Sequence, residues 1–187
     1  MRDDIVDYLK SEIEHRCQLP ANHFGIGCFY HIRAVAKNAE MLADIYNADK
    51  EVVIIAAWLH DVASITDYSL YEDHHIHGAV MAEEILTGFD YDSDKIRLVQ
   101  QCIRNHRGSV LHSKMTVEEL CIADADSISH FDSVPGLLYL AYVNKKMGID
   151  EGREFVRNKL IRSFKKLSTK SKVLYESKFD QVMSVLE

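Results

Sequence analysis

Residues 52–61 read VVIIAAWLHD, and this stretch decides the fold. Wound as a helix, it is apolar nearly all the way round before it ends in His60 and Asp61, so it reads as the central, most buried helix of a helical protein. Asp49 stands where a cap would satisfy the free backbone donors of its first turn. Outward from this segment, apolar residues recur at helical spacing almost everywhere, and nothing alternates with period two for long enough to make a strand. The expected fold is all-α, a compact single-domain helical bundle. Helices are expected over residues 3–16, with Ile5, Leu9 and Ile13 on one face, and over 29–46, with Val35, Leu42 and Ile45 inward. Pro20 and the glycines at 25 and 27 separate these two. Further helices are expected over 77–86, 93–105, 116–130, 134–147, 150–166 and 172–186. Thr116 and Glu119 have the spacing of a capping box. Residues 62–75 show no sustained period and read as a long loop, the kind of segment that often carries function.

Composition narrows the class. Twenty-two Lys and Arg against 29 Asp and Glu give a net charge of −7 over 187 residues, and 47% of the residues are hydrophobic. One domain with an ample core is expected, with no internal repeat and no linker. An acidic balance disfavours a protein that coats a nucleic-acid backbone. The basic stretch 153–172 reads as a solvated helix face. The apolar run 52–59 is far shorter than the roughly 20 residues that cross a bilayer. The opening MRDDIVDYLKSEIEHR carries acids where a signal peptide needs a basic segment. No membrane span and a cytoplasmic location are therefore expected. Cys17, Cys28, Cys102 and Cys121 are scattered with no C-x-x-C pair, which argues against a disulfide framework or a thiolate zinc cluster and for small core residues.

The chemistry lies in polar residues set among apolar ones. An ionised Asp61 directly after the apolar run loses hydration unless a cation or hydrogen-bond donors compensate it. Imidazole and carboxylate together suit a divalent first-row metal, but two ligands do not hold one firmly. His31, opening the helix HIRAVAKNAEMLA, and Asp126, in LCIADADSI, have similar settings. Taken singly, a core histidine bonded to a carbonyl or a capping aspartate explains either. Four such residues on mainly apolar helices are harder to explain as independent accidents.

The ordered set His31, His60–Asp61 and Asp126 resembles the H…HD…D pattern of the HD-domain metal-dependent phosphohydrolases, over about residues 29–131. The additional C-terminal helices fall outside it. The resemblance implies an all-α fold in which His31, His60, Asp61 and Asp126 converge on a divalent metal such as manganese, iron, nickel, cobalt, zinc or magnesium. Asp124 and Asp126 point to different sides of a helix, so only one can face the metal; the family's basic residue after the ligand aspartate is absent after Asp126, which keeps Asp124 as the second choice. In EDHHIHGAVMAEEIL the resemblance implies that His77 contacts substrate phosphate or a second metal, and His106 in IRNHRG is similarly placed. Either is equally readable as a surface histidine. His74 and His75 read as loop residues, and His130 as a helix-end histidine near the site. His15, His23 and His112 have no supporting context. Arg107, next to Gly108, which permits a close turn, is the preferred phosphate contact, and Arg33 reads as solvated. Tyr68 and Tyr71 are candidates to cover a base or sugar.

The expected activity is hydrolysis of a phosphate ester or anhydride, the ester favoured, in a nucleotide or related phosphorylated metabolite. Asp61 would orient water, and His77 or His106 would assist the leaving oxygen. A metal-containing, nucleotide-binding regulatory module without turnover is the alternative. A purely structural helical protein is the third reading. Whether the chain forms a homodimer stays open.

Overall fold

The computed structural model describes residues 1–107 and 116–187, and among them every regular element is helical. Gly108 and His112 lie outside the described residues. Helix α3 (Lys50–Leu59) is central: residues 52–59 are all buried, and α1 (Asp3–Gln18), α2 (Gly27–Tyr46), α6 (Ser93–Asn105) and α7 (Val117–Asp132) pack around it. Each fully buried Ile or Leu in such a helix contributes about 1.5–3 kcal/mol. Asp49 caps α3 by accepting from the Val52 amide, and the left-handed Asn47 (φ 55°) ends α2 just before it. That turn sets α2 and α3 side by side, which brings His31 of α2 toward the end of α3.

The stretch read as a loop is mostly ordered into short pieces. Helix α4 (Val62–Thr66) follows α3, a 3-10 turn spans Tyr68–Leu70, and α5 begins at His74 and runs to Thr87. These pieces are too short to show a hydrophobic period. Buried His74, Gly78, Ala82 and Leu86 form the inward stripe of α5, which pairs with α6. His77 lies beside that stripe and is exposed.

Helix α7 starts with the full capping box of Thr116 and Glu119. The helix expected over 134–147 divides into α8 (Val134–Tyr139) and a π-helical segment, Leu140–Asn144. Helices α9 (Ile149–Lys166) and α10 (Thr169–Val185) then fold against α7. Ser168 caps α10, and its position is set by Asp124 of α7, which accepts from the Ser168 amide at 2.9 Å and from the hydroxyls of Ser168 and Ser171 at 2.5 and 2.6 Å. Among the described residues, no helix is long and apolar enough to cross a membrane.

Candidate metal centre

Imidazoles and carboxylates from five helices or their ends meet at the floor of a cavity of about 660 Å³, which His31, Asp61, His74, His106 and Asp126 line and the fully buried His60 backs. The end of α3 supplies His60 and Asp61, α2 supplies His31, α7 supplies Asp126, α5 supplies His74 and the end of α6 supplies His106. They form two adjoining groups, His31–His60–Asp126 and Asp61–His74–His106, with the potential ligand atoms of each group within 4.8 Å of one another. Asp61 joins the two. Its Oδ2 lies 3.3 Å from His60 Nε2 and 3.8 Å from His31 Nε2, while its Oδ1 lies 3.2 Å from His74 Nε2 and 3.8 Å from His106 Nε2. Asp126 Oδ1 is 3.3 Å from His31 Nε2.

One device orients all four rings. His60, His74 and His106 each donate Nδ1–H to the carbonyl three residues earlier, those of Ala57, Tyr71 and Ile103, at 2.7, 2.6 and 2.6 Å. A carbonyl can only accept, so Nδ1 carries the proton and Nε2 faces the site. His31 reaches the same state through Ser129, whose hydroxyl donates to the Asp126 carbonyl at 2.6 Å and so accepts from His31 Nδ1 at 2.9 Å. Fixing the far nitrogen of a histidine in this way is what orients metal ligands.

The electrostatics call for a cation. Burial opposes charge on His60, yet the Asp61 and Asp126 carboxylates outweigh it and raise the imidazole to about 9. Burial likewise pushes Asp61 and Asp126 up, but the surrounding histidines hold both well below the ordinary carboxylate range. Further back, burial and then the charge on His60 lower His106 to about 3. His60 Nε2 is fully buried and has no hydrogen-bond partner among the described residues, since its approach to Asp61 lacks hydrogen-bond geometry. An orphaned, inward-facing ring nitrogen beside two carboxylates fits a divalent ion with mixed nitrogen and oxygen ligands.

Part of the cavity wall is basic. Lys159, Arg162 and Lys166 of α9 line the cavity at a spacing that places them on one helix face. None has an ion-pair partner among the described residues. Burial lowers Lys159 below the ordinary lysine range against the pull of Asp126. Arg107 also lines the cavity and donates from Nη1 to the Glu72 carbonyl. Tyr68 and Tyr71 stand at its rim, their rings stacked at 5.6 Å, with Phe24 against both.

Several sequence expectations shift accordingly. His31, His60, Asp61, Asp126, His106 and Arg107 are brought together, whereas exposed His77 does not line the cavity. His74, read as a loop residue, begins α5 and occupies the site in its place, because the helix starts one turn earlier than its apolar pattern does. Asp124 faces away and holds α10. Arg33 stacks on Tyr30 at 4.9 Å, outside the site, while His130 lies buried beside His31, 4.8 Å between ring centroids. The basic stretch of α9 is a cavity wall rather than a simple solvated face. Its cations at 159, 162 and 166 carry the helical spacing that would have revealed a common face, although not what it faces.

Comparison with known proteins agrees with this architecture. The sequence profile of the HD domain matches residues 28–130, and the chain belongs to that family. A similar solved structure is Bacillus subtilis YpgQ, at 18% identity and a TM-score of 0.71, covering 98% of this chain and 94% of that one. YpgQ in complex with ADP superposes with a TM-score of 0.68 at 15% identity, over 97% and 93% of the two chains. A predicted HD superfamily hydrolase from an uncultured Thermotogales bacterium shares 22% identity and a TM-score of 0.56, over 86% of each chain. An uncharacterized protein of Clostridium beijerinckii is 29% identical over 79 residues, which make up 41% of this chain and half the length of that relative.

Proposed function

We propose that the protein is a metal-dependent phosphohydrolase acting on a phosphate ester or anhydride of a nucleotide or related phosphorylated metabolite. The observation that carries this reading is one cavity lined both by a ligand-rich cluster of acids and imidazoles and by α9 cations that have no ion-pair partner among the described residues. His31, His60, Asp61 and Asp126 would hold a divalent ion, whose chemistry when bound is to polarise a phosphoryl oxygen and acidify water. Asp61, facing both groups of histidines, is suited to orient the attacking water. His106 and His74 are placed either to take a second ion or to stabilise charge on the leaving oxygen.

Arg107 and the α9 cations would neutralise phosphate oxygens, with guanidinium able to bond them bidentately. Tyr68 and Tyr71 offer flat faces for a base or sugar. The ADP complex of YpgQ, a protein of similar fold, supports placing nucleotides first among the substrates to be tried. The cationic row leaves room for more than one phosphate charge, so anhydrides belong in the panel beside the favoured esters.

The test is metal-stripped protein reloaded separately with manganese, iron, nickel, cobalt, zinc or magnesium and screened against phosphorylated metabolites and nucleotides. Phosphate or pyrophosphate release that requires the metal and stops with chelator is expected. Nucleotide binding without turnover under every metal would replace the enzyme by a regulatory module.

A further inference from the structure

Cys17 and Cys28, apart in sequence, have their Sγ atoms 3.1 Å from one another, joined by a thiol–thiol hydrogen bond. Cys17 ends α1 and is buried, whereas Cys28 is half-buried and lines the cavity in the first turn of α2. The connection between them is organised around one side chain. Asn22 Nδ2 donates to the Cys17 carbonyl at 2.8 Å, to the Gly25 carbonyl at 3.1 Å and to Cys28 Sγ at 3.1 Å. Gly25 completes the turn at φ 70°, a backbone shape that favours glycine. The turn thus presents the two sulfurs to each other and places a hydrogen-bond donor on Cys28.

We propose that Cys17 and Cys28 are a reversible redox pair that forms an intramolecular disulfide at the edge of the cavity. Cys28, with access to the cavity and the Asn22 donor, is the attacking residue, and buried Cys17 resolves it. With hydrogen peroxide as oxidant, the Cys28 thiolate attacks one peroxide oxygen and the O–O bond breaks. This leaves a sulfenic acid, and the departing hydroxide takes up the thiol proton as water. Cys17 Sγ then attacks the Cys28 sulfur, the S–S bond forms and the S–O bond breaks, and hydroxide leaves with the Cys17 proton as a second water. Two thiols lose two electrons and peroxide is reduced to two waters.

The other cysteines provide an internal contrast. Cys102 and Cys121 are fully buried, and burial pushes Cys121 up to about 12. They lack both the thiolate character and the access that oxidation needs. In a compartment buffered by glutathione, a pair such as Cys17–Cys28 rests reduced and oxidises transiently. The bond would tie the end of α1 to the start of α2, one turn before His31.

Titrating the full-length reduced protein with hydrogen peroxide tests this. Free thiols should fall from four to two. Peptide mass mapping should find a Cys17–Cys28 cross-link that is lighter by two hydrogens and is lost on adding dithiothreitol. In Cys17→Ser, Cys28 should accumulate as a sulfenic acid trapped by dimedone, and in Cys28→Ser, Cys17 should stay unmodified. The proposal is overturned if the wild-type protein, with unchanged circular dichroism, gives no such cross-link. It is overturned equally if Cys102 and Cys121 are consumed first, or if Cys17 is labelled in Cys28→Ser as fast as Cys28 in Cys17→Ser.

Discussion

Asp124 and Asp126 sit two residues apart on α7, about 200° around the helix from each other, and the two sides of that helix solve the problem of a buried carboxylate differently. On the α10 side, Asp124 is completely buried and accepts from one amide and two hydroxyls. Its charge is matched by protein donors, so it holds two helices together. On the cavity side, Asp126 meets His31 at 3.3 Å, and nearby His60 keeps a ring nitrogen without a hydrogen-bond partner among the described residues. Here the polar groups are oriented but not satisfied among themselves. A carboxylate whose partners are complete serves the fold, and one whose neighbours still need a cation is set up for a ligand.

Breaking the cavity side should have the largest effect. Asp126→Ala should reduce metal affinity and metal-dependent turnover by roughly a hundredfold or more, the upper range for losing even a supporting partner of a ligand. Elemental analysis of the purified variant, with circular dichroism to confirm helix content, checks this. Asp124→Asn should do the reverse. Weakening bonds to a charged buried acceptor costs about 1.5–3 kcal/mol in stability, visible as a lower urea midpoint, while the metal content stays near wild type. If Asp124→Asn loses the metal and Asp126→Ala keeps it, the assignment of the two sides must be exchanged.

A third substitution tests whether orientation matters apart from ligation. Ser129 touches no proposed ion, yet its hydroxyl accepts from His31 Nδ1 and donates to the Asp126 carbonyl. Ser129→Ala removes the acceptor that fixes the His31 tautomer. Metal affinity should fall roughly ten- to hundredfold, read by competition with a chelating dye, and should recover largely in Ser129→Thr. An equal loss in the alanine and threonine variants would point to packing rather than to the hydrogen bond.

Much of this arrangement was legible in the sequence because it rests on pattern. The all-round apolar run before His60, the capping signals at Asp49 and Thr116, and the acid set among core residues at 126 all survive into the structure. The α5 boundary was hidden for a physical reason. His74, His75 and His77 are all polar letters, and only the placement of α4 and the 3-10 turn decides which of them turns inward. The Nδ1–carbonyl bonds of His60, His74 and His106 depend on local backbone at the helix ends and leave no mark in composition. The role of α9 depends on the π-helical segment and turn before it, which set that helix across the cavity, a long-range outcome that a helical period alone does not specify.

The smallest expected effect separates two histidines of a single helix turn. His74 has Nδ1 fixed by the Tyr71 carbonyl and Nε2 3.2 Å from both Asp61 Oδ1 and His106 Nε2. His77 is exposed and lines no part of the cavity. A surface substitution of this kind changes stability by no more than about 0.5 kcal/mol. Lying outside the cavity, His77 has no transition-state contact to lose, so His77→Ala should leave kcat/KM within about twofold of wild type. His74→Ala removes a group that faces Asp61 and should lower turnover far more. The two variants, assayed side by side on one established substrate with matched metal loading, test the inward register of α5. A large loss in His77→Ala with an intact His74→Ala would mean that α5 turns its other edge to the substrate during catalysis, and the six-residue floor would have to be redrawn around His77.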